Sequence, residues 1–154
     1  MRVRQFSTLL AVALSVACSD NSPTAVSIEQ TAFAPALDVN LAQSTKAPSG
    51  LYYRDITTGS GAVLANGQSV GMRYVGSLAD GTKFDSNAPP APPFSFVLGT
   101  GRVIKGWDLG LMGMKVGGRR QLIIPPSLGY GGDGNGPIPG NSVLVFVVDA
   151  VSAQ

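Results

Sequence analysis

The chain has 154 residues, with 11 lysine and arginine side chains, 9 aspartate and glutamate side chains, no histidine and one cysteine. Arg2 and Arg4 lie in a leader that we expect to be removed, which leaves a near-neutral chain without the concentrated basic face that a nucleic-acid partner needs. Without histidine the chain cannot form Ser-His-Asp or Cys-His catalytic sets or the usual zinc and iron sites, so we expect no metal and no cofactor.

Residues 1–17 have the make-up of an export signal: two arginines, an apolar run over 9–14, and small residues up to Cys18. The run is too short to span a bilayer, which takes about 20 residues. The segment resembles a bacterial lipoprotein signal, in which the cysteine is lipidated, although Ser15 stands where such signals usually carry leucine. Ordinary cleavage that leaves a free thiol is the alternative. We predict lipidation of Cys18, because a lone cysteine in an exported protein otherwise lacks an explanation.

These features predict an exported protein of a bacterial cell envelope, anchored to a membrane by lipid. In a Gram-negative cell, Ser19 after the cysteine favours the periplasmic side of the outer membrane. Residues 18–49 are rich in Ser, Thr, Ala, Asn, Gln and Pro and are predicted to form a flexible spacer. Leu37, Val39 and Leu41 alternate with other residues, so part of the spacer could instead pack as an edge strand.

Residues 50–154 are predicted to form one domain. Apolar and polar residues alternate in short runs that end at turn signals such as Asn66-Gly67 and Asp80-Gly81, a pattern typical of antiparallel strands. The proline-rich stretch 88–93 cannot pair within a sheet and is interpreted as a stiff connection. The predicted strands cover residues 53–56, 70–76, 83–85, 94–98, 121–124 and 143–151.

One short helix is predicted after the glycines at 99–101. Apolar residues recur at three- and four-residue spacing from Ile104 to Met114, and they include the only tryptophan, Trp107. Each glycine in this run lowers helix propensity by about 1 kcal/mol, so packing must hold the helix. We expect Lys115 in its last turn, where a cation meets the negative end of a helix. Together these elements predict an α+β domain, an antiparallel sheet with one short helix packed on it.

Six segments of this domain carry a further pattern in their order and spacing. They are 75–86 (VGSLADGTKFDS), 94–99 (FSFVLG), 103–108 (VIKGWD), 129–131 (GYG), 138–139 (IP) and 144–146 (LVF). With this set the chain resembles FKBP-type peptidyl-prolyl cis-trans isomerases over residues 50–154. The resemblance implies a half-barrel antiparallel sheet wrapped around one short α-helix, and an enzyme that accelerates X-Pro bond rotation in unfolded or newly exported proteins. It implies proline-containing polypeptide substrates and macrolide inhibitors such as rapamycin, and we expect a monomer.

The resemblance also assigns roles to individual residues. Trp107 would form the floor of the site. The backbone N–H of Ile104 and the hydroxyl of Tyr130 would meet substrate carbonyls, and Tyr74 would hold the carboxylate of Asp85 at the pocket edge. These five are the predicted catalytic residues. The predicted substrate-binding residues are Phe84, Phe94, Phe96, Val103, Ile138 and Phe146.

Simpler explanations exist for the same residues. Aromatic residues such as Trp107 and Phe146 are core residues in most small domains, and Phe96 is balanced between wall and core. Asp85, directly before a serine, could merely cap a turn. Tyr130 could pack on the surface of a loop.

The glycine-rich run 131–136 is interpreted as a mobile flap over the pocket. It starts like a calcium loop, but Pro137 and Leu144 stand where ligands would be required. The histidine that family members often carry there is absent. The arginine that pairs with the pocket aspartate in some members falls near Pro90, so Asp85 lacks that partner.

The implied chemistry is compatible with this composition. Rotation of an X-Pro bond crosses a barrier of about 18–20 kcal/mol and disrupts amide resonance, so the twisted amide is less polar than the planar one. An aromatic cavity disfavours the planar, hydrated amide more than the twisted one, and needs no proton transfer and no covalent intermediate. A non-catalytic module that holds proline-containing segments, as a chaperone or adaptor, is the alternative.

Overall fold

The computed structural model describes residues 26–154. The predicted export signal and Cys18 with its predicted lipid lie outside the described residues. No helix within 26–154 is long and apolar enough to cross a membrane. Within this range the strands are β1 (Thr45–Lys46), β2 (Tyr52–Thr57), β3 (Ser69–Leu78), β4 (Lys83–Asn87), β5 (Phe94–Val97), β6 (Arg119–Ile124) and β7 (Leu144–Ala153), and the α-helix is α1 (Lys105–Gly110). Short 3-10 turns cover Ile28–Gln30, Pro35–Leu37, Leu41–Gln43 and Pro126–Leu128.

The strands form one antiparallel sheet in the order β1-β2-β6-β7-β3-β4, with β5 also paired to β3. Strand β3 pairs with β7 from Val70 to Leu78. On its other side, the first half of β3 pairs with β5 and the second half with β4. The proline-rich stretch 88–93 therefore joins two strands on the same edge of β3. The predicted fold, an antiparallel sheet with one short α-helix, is confirmed.

The sheet is apolar on both faces. Successive side chains of a strand point to opposite faces, and β6 shows this clearly: Leu122 and Ile124 belong to the cluster around α1, whereas Ile123 belongs to a second cluster. We call the face toward α1 the inner face and the opposite one the outer face. Both faces need a cover, and only the inner one is covered by the helix.

Two glycines allow α1 to lie close to the inner face. A Cβ on Gly106 would stand 2.5 Å from Cγ2 of Ile124, and one on Gly110 would stand 2.8 Å from Cδ2 of Leu122. The two glycines are four residues apart and so lie on the same side of the helix. The residues that weaken the helix in isolation are thus the ones that bring it against β6, and packing stabilises it.

The predicted end of the helix is wrong. Helix α1 ends at Gly110 rather than near Met114, and Lys115 is exposed and outside it. The chain turns away at Gly113, which has a φ of 74°. The cation at the helix end comes from β6 instead: the buried guanidinium of Arg120 donates to the carbonyl of Gly110 over 2.8 Å.

The outer face is covered by residues 27–46, which we call the N-terminal strap. Ile28 is buried there against Tyr52 of β2 and Ile123 of β6, and Val143 and Val145 complete the cluster. The flexible spacer predicted over 18–49 is therefore wrong for its described part, 26–49. The polar composition concealed a few apolar residues that close this face of the sheet.

The strap is also attached by polar contacts. Nε2 of Gln121 donates to the carbonyl of Leu37 over 2.7 Å, and Nη2 of Arg54 donates to Oδ2 of Asp38 over 2.9 Å. The predicted edge strand at 37–41 is not formed, because these residues lie in and between 3-10 turns. Their side chains Leu37, Val39 and Leu41 are partly buried against the outer cluster. The edge strand is β1, farther along the chain.

Candidate active site

A cavity of about 370 Å³ opens between α1, the inner face of the sheet and the loop after β6. Ten of the eleven predicted site residues line it, and they come from β3, β4, β5, β7, α1 and two loops. The sequence separation of these residues is large, so the fold brings them together. They are Tyr74, Phe84, Asp85, Phe94, Val103, Ile104, Trp107, Tyr130, Ile138 and Phe146.

Trp107 forms the floor of this cavity. Its side chain is buried, and its ring meets those of Tyr74 and Phe146 nearly at right angles, with centroid distances of 5.0 and 5.4 Å. Edge-to-face pairs of this kind contribute about 0.5–1.5 kcal/mol each beyond simple burial. The indole Nε1 is buried and has no hydrogen-bond partner among residues 26–154. The indole is therefore held by rings rather than by a polar contact.

Phe96 is the predicted site residue that does not line the cavity. Its ring is buried and lies 5.8 Å from that of Trp107 and 5.5 Å from that of Phe94. Strand alternation does place Phe94 and Phe96 on the same face, as expected. Phe96 lies farther under the indole and supports the floor from the core side.

The aromatic wall formed by Phe84 and Phe146 depends on a glycine in β3. A Cβ on Gly76 of β3 would stand 2.6 Å from Cε1 of Phe146 and 2.8 Å from Cε2 of Phe84. The two phenylalanine rings meet edge to face over the glycine, with centroids 5.5 Å apart. Gly76 thus lets strands β4 and β7 place their rings directly on the backbone of β3.

The carboxylate of Asp85 lies at the rim and is held on both oxygens. The hydroxyl of Tyr74 donates to Oδ2 over 2.7 Å, and the backbone N–H of Ser86 donates to Oδ1 over 2.8 Å. Partial burial, followed by the hydrogen bond and charge of Asp85, raises the pKa of Tyr74 above its ordinary value. The tyrosine therefore remains a protonated donor. Asp85 therefore has both of the roles considered for it: its carboxylate caps the backbone N–H of Ser86, and it lies at the edge of the cavity.

Two further donors at the cavity have no acceptor within the described chain. The backbone N–H of Ile104 makes no hydrogen bond to any residue of 26–154, and the same holds for the hydroxyl of Tyr130. Ile104 precedes the first turn of α1, where its own carbonyl accepts from the N–H of Trp107 over 2.9 Å. The N–H of Ile104 itself takes no part in the hydrogen bonds of the helix. These are the two groups predicted to meet substrate carbonyls.

Asp108 fixes the loop that carries Ile104. Its carboxylate accepts from the backbone N–H groups of Gly99, over 2.8 Å, and Gly101, over 2.9 Å. Both glycines have positive φ values, 79° and 71°, and residues other than glycine rarely adopt such a backbone conformation. The glycines after β5 therefore have a defined conformation and are not a loose linker.

Sequence reasoning missed four residues of the cavity. Two of them, Asn135 and Gly136, lie in the flap and Pro137 directly follows it; the turn is closed by paired backbone hydrogen bonds between Asn135 and Ile138, each of 2.9 Å. This turn buries Ile138 while the residues before it face the cavity. Arg102 follows the glycine turn and directly precedes two predicted site residues, Val103 and Ile104. This position in the sequence could have indicated that Arg102 lines the cavity as well. The missed residues are Arg102, Asn135, Gly136 and Pro137.

Among residues 26–154 no group of three or more His, Cys, Asp or Glu side chains is placed to hold a metal ion. The polar groups of the cavity are a carboxylate, a guanidinium, hydroxyls and backbone amides. Such groups can orient a polypeptide by hydrogen bonds, while the rings exclude water from its apolar part.

Comparison with known families and proteins agrees with this geometry. A family model described as "FKBP-type peptidyl-prolyl cis-trans isomerase" matches residues 61–151. FK506-binding protein 4 of Rhizopus delemar is 56% identical over 111 residues, which cover 71% of this chain and 29% of that protein. FK506-binding protein 2 of Dictyostelium discoideum is 53% identical over 87 residues, covering 56% of this chain and 65% of that protein.

Two solved structures share the fold. The crystal structure of AtFKBP13 superposes with a TM-score of 0.67 at 40% identity and covers 72% of this chain and 98% of that one. FkpA from Escherichia coli gives a TM-score of 0.67 at 38% identity, covering 73% of this chain and 52% of that one. The chain spans less than a third of the length of the first relatives it matches, 29% for the Rhizopus delemar protein, so the likeness concerns one part of them.

Proposed function

Because the chain belongs to the FKBP-type peptidyl-prolyl cis-trans isomerase family, we propose that it accelerates rotation about X-Pro bonds in polypeptides that enter the cavity over Trp107. The proposed substrates are proline-containing segments of unfolded or newly exported proteins. Macrolides such as rapamycin are proposed to compete for the same cavity.

The observation that carries this proposal is the pairing of a cavity walled by aromatic rings with donors that lack acceptors within the described chain. Trp107 and the rings around it remove water from a proline ring and from its amide. The N–H of Ile104 and the hydroxyl of Tyr130 are available to carbonyls on either side of that amide. A simple apolar core would not direct two such donors into an open cavity.

This arrangement lowers the barrier to rotation about the X-Pro bond because it destabilises the planar amide more than the twisted one. A planar amide is polar and loses hydration on entry, whereas a twisted amide has less charge on its oxygen and loses less. Donors at fixed positions stabilise the backbone conformation of the twisted state without forming a covalent bond. Tyr74 and Asp85 hold each other at the rim and keep the cavity wall in place.

The test is the exchange rate of a short Leu-Pro or Phe-Pro peptide, measured by NMR with the full chain. We expect acceleration that rapamycin abolishes. Tyr130→Phe should lower kcat/KM about 5-fold, since one hydrogen bond contributes about 1 kcal/mol. Tyr53→Phe is the matched control, because Tyr53 lies outside the cavity under the guanidinium of Arg120.

The outcome also decides between enzyme and holding module. If the peptide binds, as seen from shifted resonances of the cavity residues, but its exchange rate does not change, the cavity holds proline-containing segments without catalysis. Loss of activity in Tyr53→Phe equal to that in Tyr130→Phe would likewise argue against the assigned site.

We further propose that the chain is exported in a bacterium and anchored to the membrane through a lipid on Cys18. The support is the sequence alone: two arginines, the apolar run at 9–14 and the small residues before the cysteine. The relatives named above lend this part of the proposal no support. Labelled fatty acid should enter the wild-type chain in cells and not Cys18→Ser, and an unlabelled wild-type chain in the soluble fraction would contradict the anchor.

A further inference from the structure

Arg102 is the one arginine of residues 26–154 whose side chain makes no hydrogen bond or ion pair within that range. Each of the other four donates hydrogen bonds to a carbonyl or a carboxylate; they are Arg54, Arg73, Arg119 and Arg120. Arg102 is exposed and lines the cavity. Among the described residues that line this cavity, it is the one with a positive charge. Its guanidinium thus has all five donors available at the substrate site.

The backbone beneath Arg102 is fixed. Gly101, directly before it, donates its N–H to Oδ2 of Asp108, and Val103 and Ile104, directly after it, line the cavity. The side chain is flexible, but its starting point is held at the rim beside the donor N–H of Ile104. A group on the substrate next to the bound amide would therefore come within reach of the guanidinium.

The cavity is also electrically asymmetric. Asp85 is the one anion among its lining residues, and both of its oxygens already accept hydrogen bonds from Tyr74 and Ser86. Arg102 and Asp85 form no ion pair with each other. An acidic substrate side chain is attracted by Arg102 and repelled by Asp85, so its effect depends on which of the two it lies nearer, and hence on its side of the proline.

We propose that Arg102 is a specificity-determining residue that favours substrates with an acidic side chain beside the proline, on one flank only. The inference rests on the proposed isomerase function. A carboxylate matches the planar guanidinium with two parallel hydrogen bonds. Arg102 adds selectivity among proline-containing peptides, while the aromatic floor binds the proline itself.

The test compares peptides that differ only in Glu, Gln or Lys, placed either directly before or directly after the proline. With the full chain, we expect one of the two positions to give a Glu-to-Gln ratio of kcat/KM of about 2- to 5-fold, as for an exposed ion pair. Arg102→Gln should bring this ratio to one. Lys105→Gln, a nearby exposed cation that does not line the cavity, should leave it unchanged.

Raising the salt concentration to about 1 M should lower the ratio as well, because ions screen exposed charges. A ratio of one at both positions, or a ratio that survives Arg102→Gln, overturns the inference. Dissociation constants from NMR titration of the same peptides give the ratio independently of catalysis. A chain that binds Glu peptides better through Arg102 but accelerates none of them would overturn the proposed function and keep this inference.

Discussion

At the scale of single residues, the site depends on a few exact fits between side chains. Tyr74 fills two roles, since its ring contacts Trp107 and its hydroxyl holds Asp85. Gly76 fills one, since the absence of a Cβ lets the rings of Phe84 and Phe146 meet above it. Each role predicts a measurable effect of substitution.

Tyr74 should make folding stability depend on alkaline pH. Its folded-state pKa is raised above the ordinary 10.0 by partial burial and then by Asp85. A raised pKa means that this contribution is fully present below about pH 10 and is lost as the pH rises toward the folded-state value. The urea midpoint of the wild type should fall between pH 9 and 11 more steeply than that of Tyr74→Phe. Equal slopes would show that Tyr74 ionises as readily folded as unfolded.

Gly76→Ala should disturb the aromatic wall. The added methyl group meets the edges of the buried Phe146 ring and the partly buried Phe84 ring at less than 3 Å, so the free energy of unfolding should fall by about 1–3 kcal/mol, the usual cost of overpacking. KM for a Leu-Pro peptide should rise because the wall moves. Val75→Ala, one residue away and exposed, is the control and should change stability by less than about 0.5 kcal/mol. Unfolding curves and kinetics check both, and a stable, fully active Gly76→Ala would refute the role of the glycine.

At the scale of elements, helix α1 shows how packing overrides propensity. It has six residues, two of them glycines on its sheet-facing side, and the carbonyl of its last residue, Gly110, accepts from Arg120 of β6. Asp55 of β2 in turn holds this guanidinium, with Nε to Oδ1 at 2.6 Å. The helix is therefore positioned by the sheet at both its side and its end.

Gly106→Ala should destabilise the protein although alanine favours helices by about 1 kcal/mol. The new Cβ would stand 2.5 Å from Cγ2 of the fully buried Ile124, which has no room to move, so we expect a net loss of about 1–3 kcal/mol. Ile124→Ala removes the three atoms that lie nearest to the added methyl group. The double variant should lose less stability than the sum of the two single variants, and strict additivity in urea unfolding would contradict the contact.

The element boundaries also show where the sequence is informative. Strands were predictable because alternation and turn glycines are local signals, and Asp80-Gly81 does join β3 to β4. The end of α1 was not predictable. The rule that a cation lies in the last turn of a helix pointed to the nearby Lys115, whereas the cation that bonds the helix end is Arg120, which comes later in the sequence, in β6. Local patterns identified the elements, and long-range contacts decided where α1 stops.

At the scale of the whole molecule, the sheet is closed by different covers on its two faces. The inner face carries α1 and the cavity, and the outer face carries the N-terminal strap. Most of the site was predictable because the family pattern places each residue in order. The strap was indicated only by the alternation at 37–41, and as a strand rather than 3-10 turns, since such turns have no periodicity and the cover of the sheet depends on Ile28 and partly buried neighbours.

The strap should be required for full stability. Ile28→Ala leaves a cavity over Tyr52 and Ile123 and should lower the free energy of unfolding by about 2–4 kcal/mol. Val26→Ala, at an exposed position two residues earlier, is the matched control and should have little effect. A chain shortened to residues 50–154 should self-associate through its bare outer face, as light scattering would show. Equal stability of Ile28→Ala and the wild type would mean that the strap only rests on the sheet.

The strap and the cavity lie on opposite faces of the sheet, so a group attached at the strap does not stand in front of the cavity. An attachment made to the strap itself, whether a label or a solid support, lies on the outer face of the sheet. The cavity over Trp107 lies on the inner face. Immobilising the molecule by the strap should therefore leave the mouth of the cavity facing outward, toward the surrounding medium.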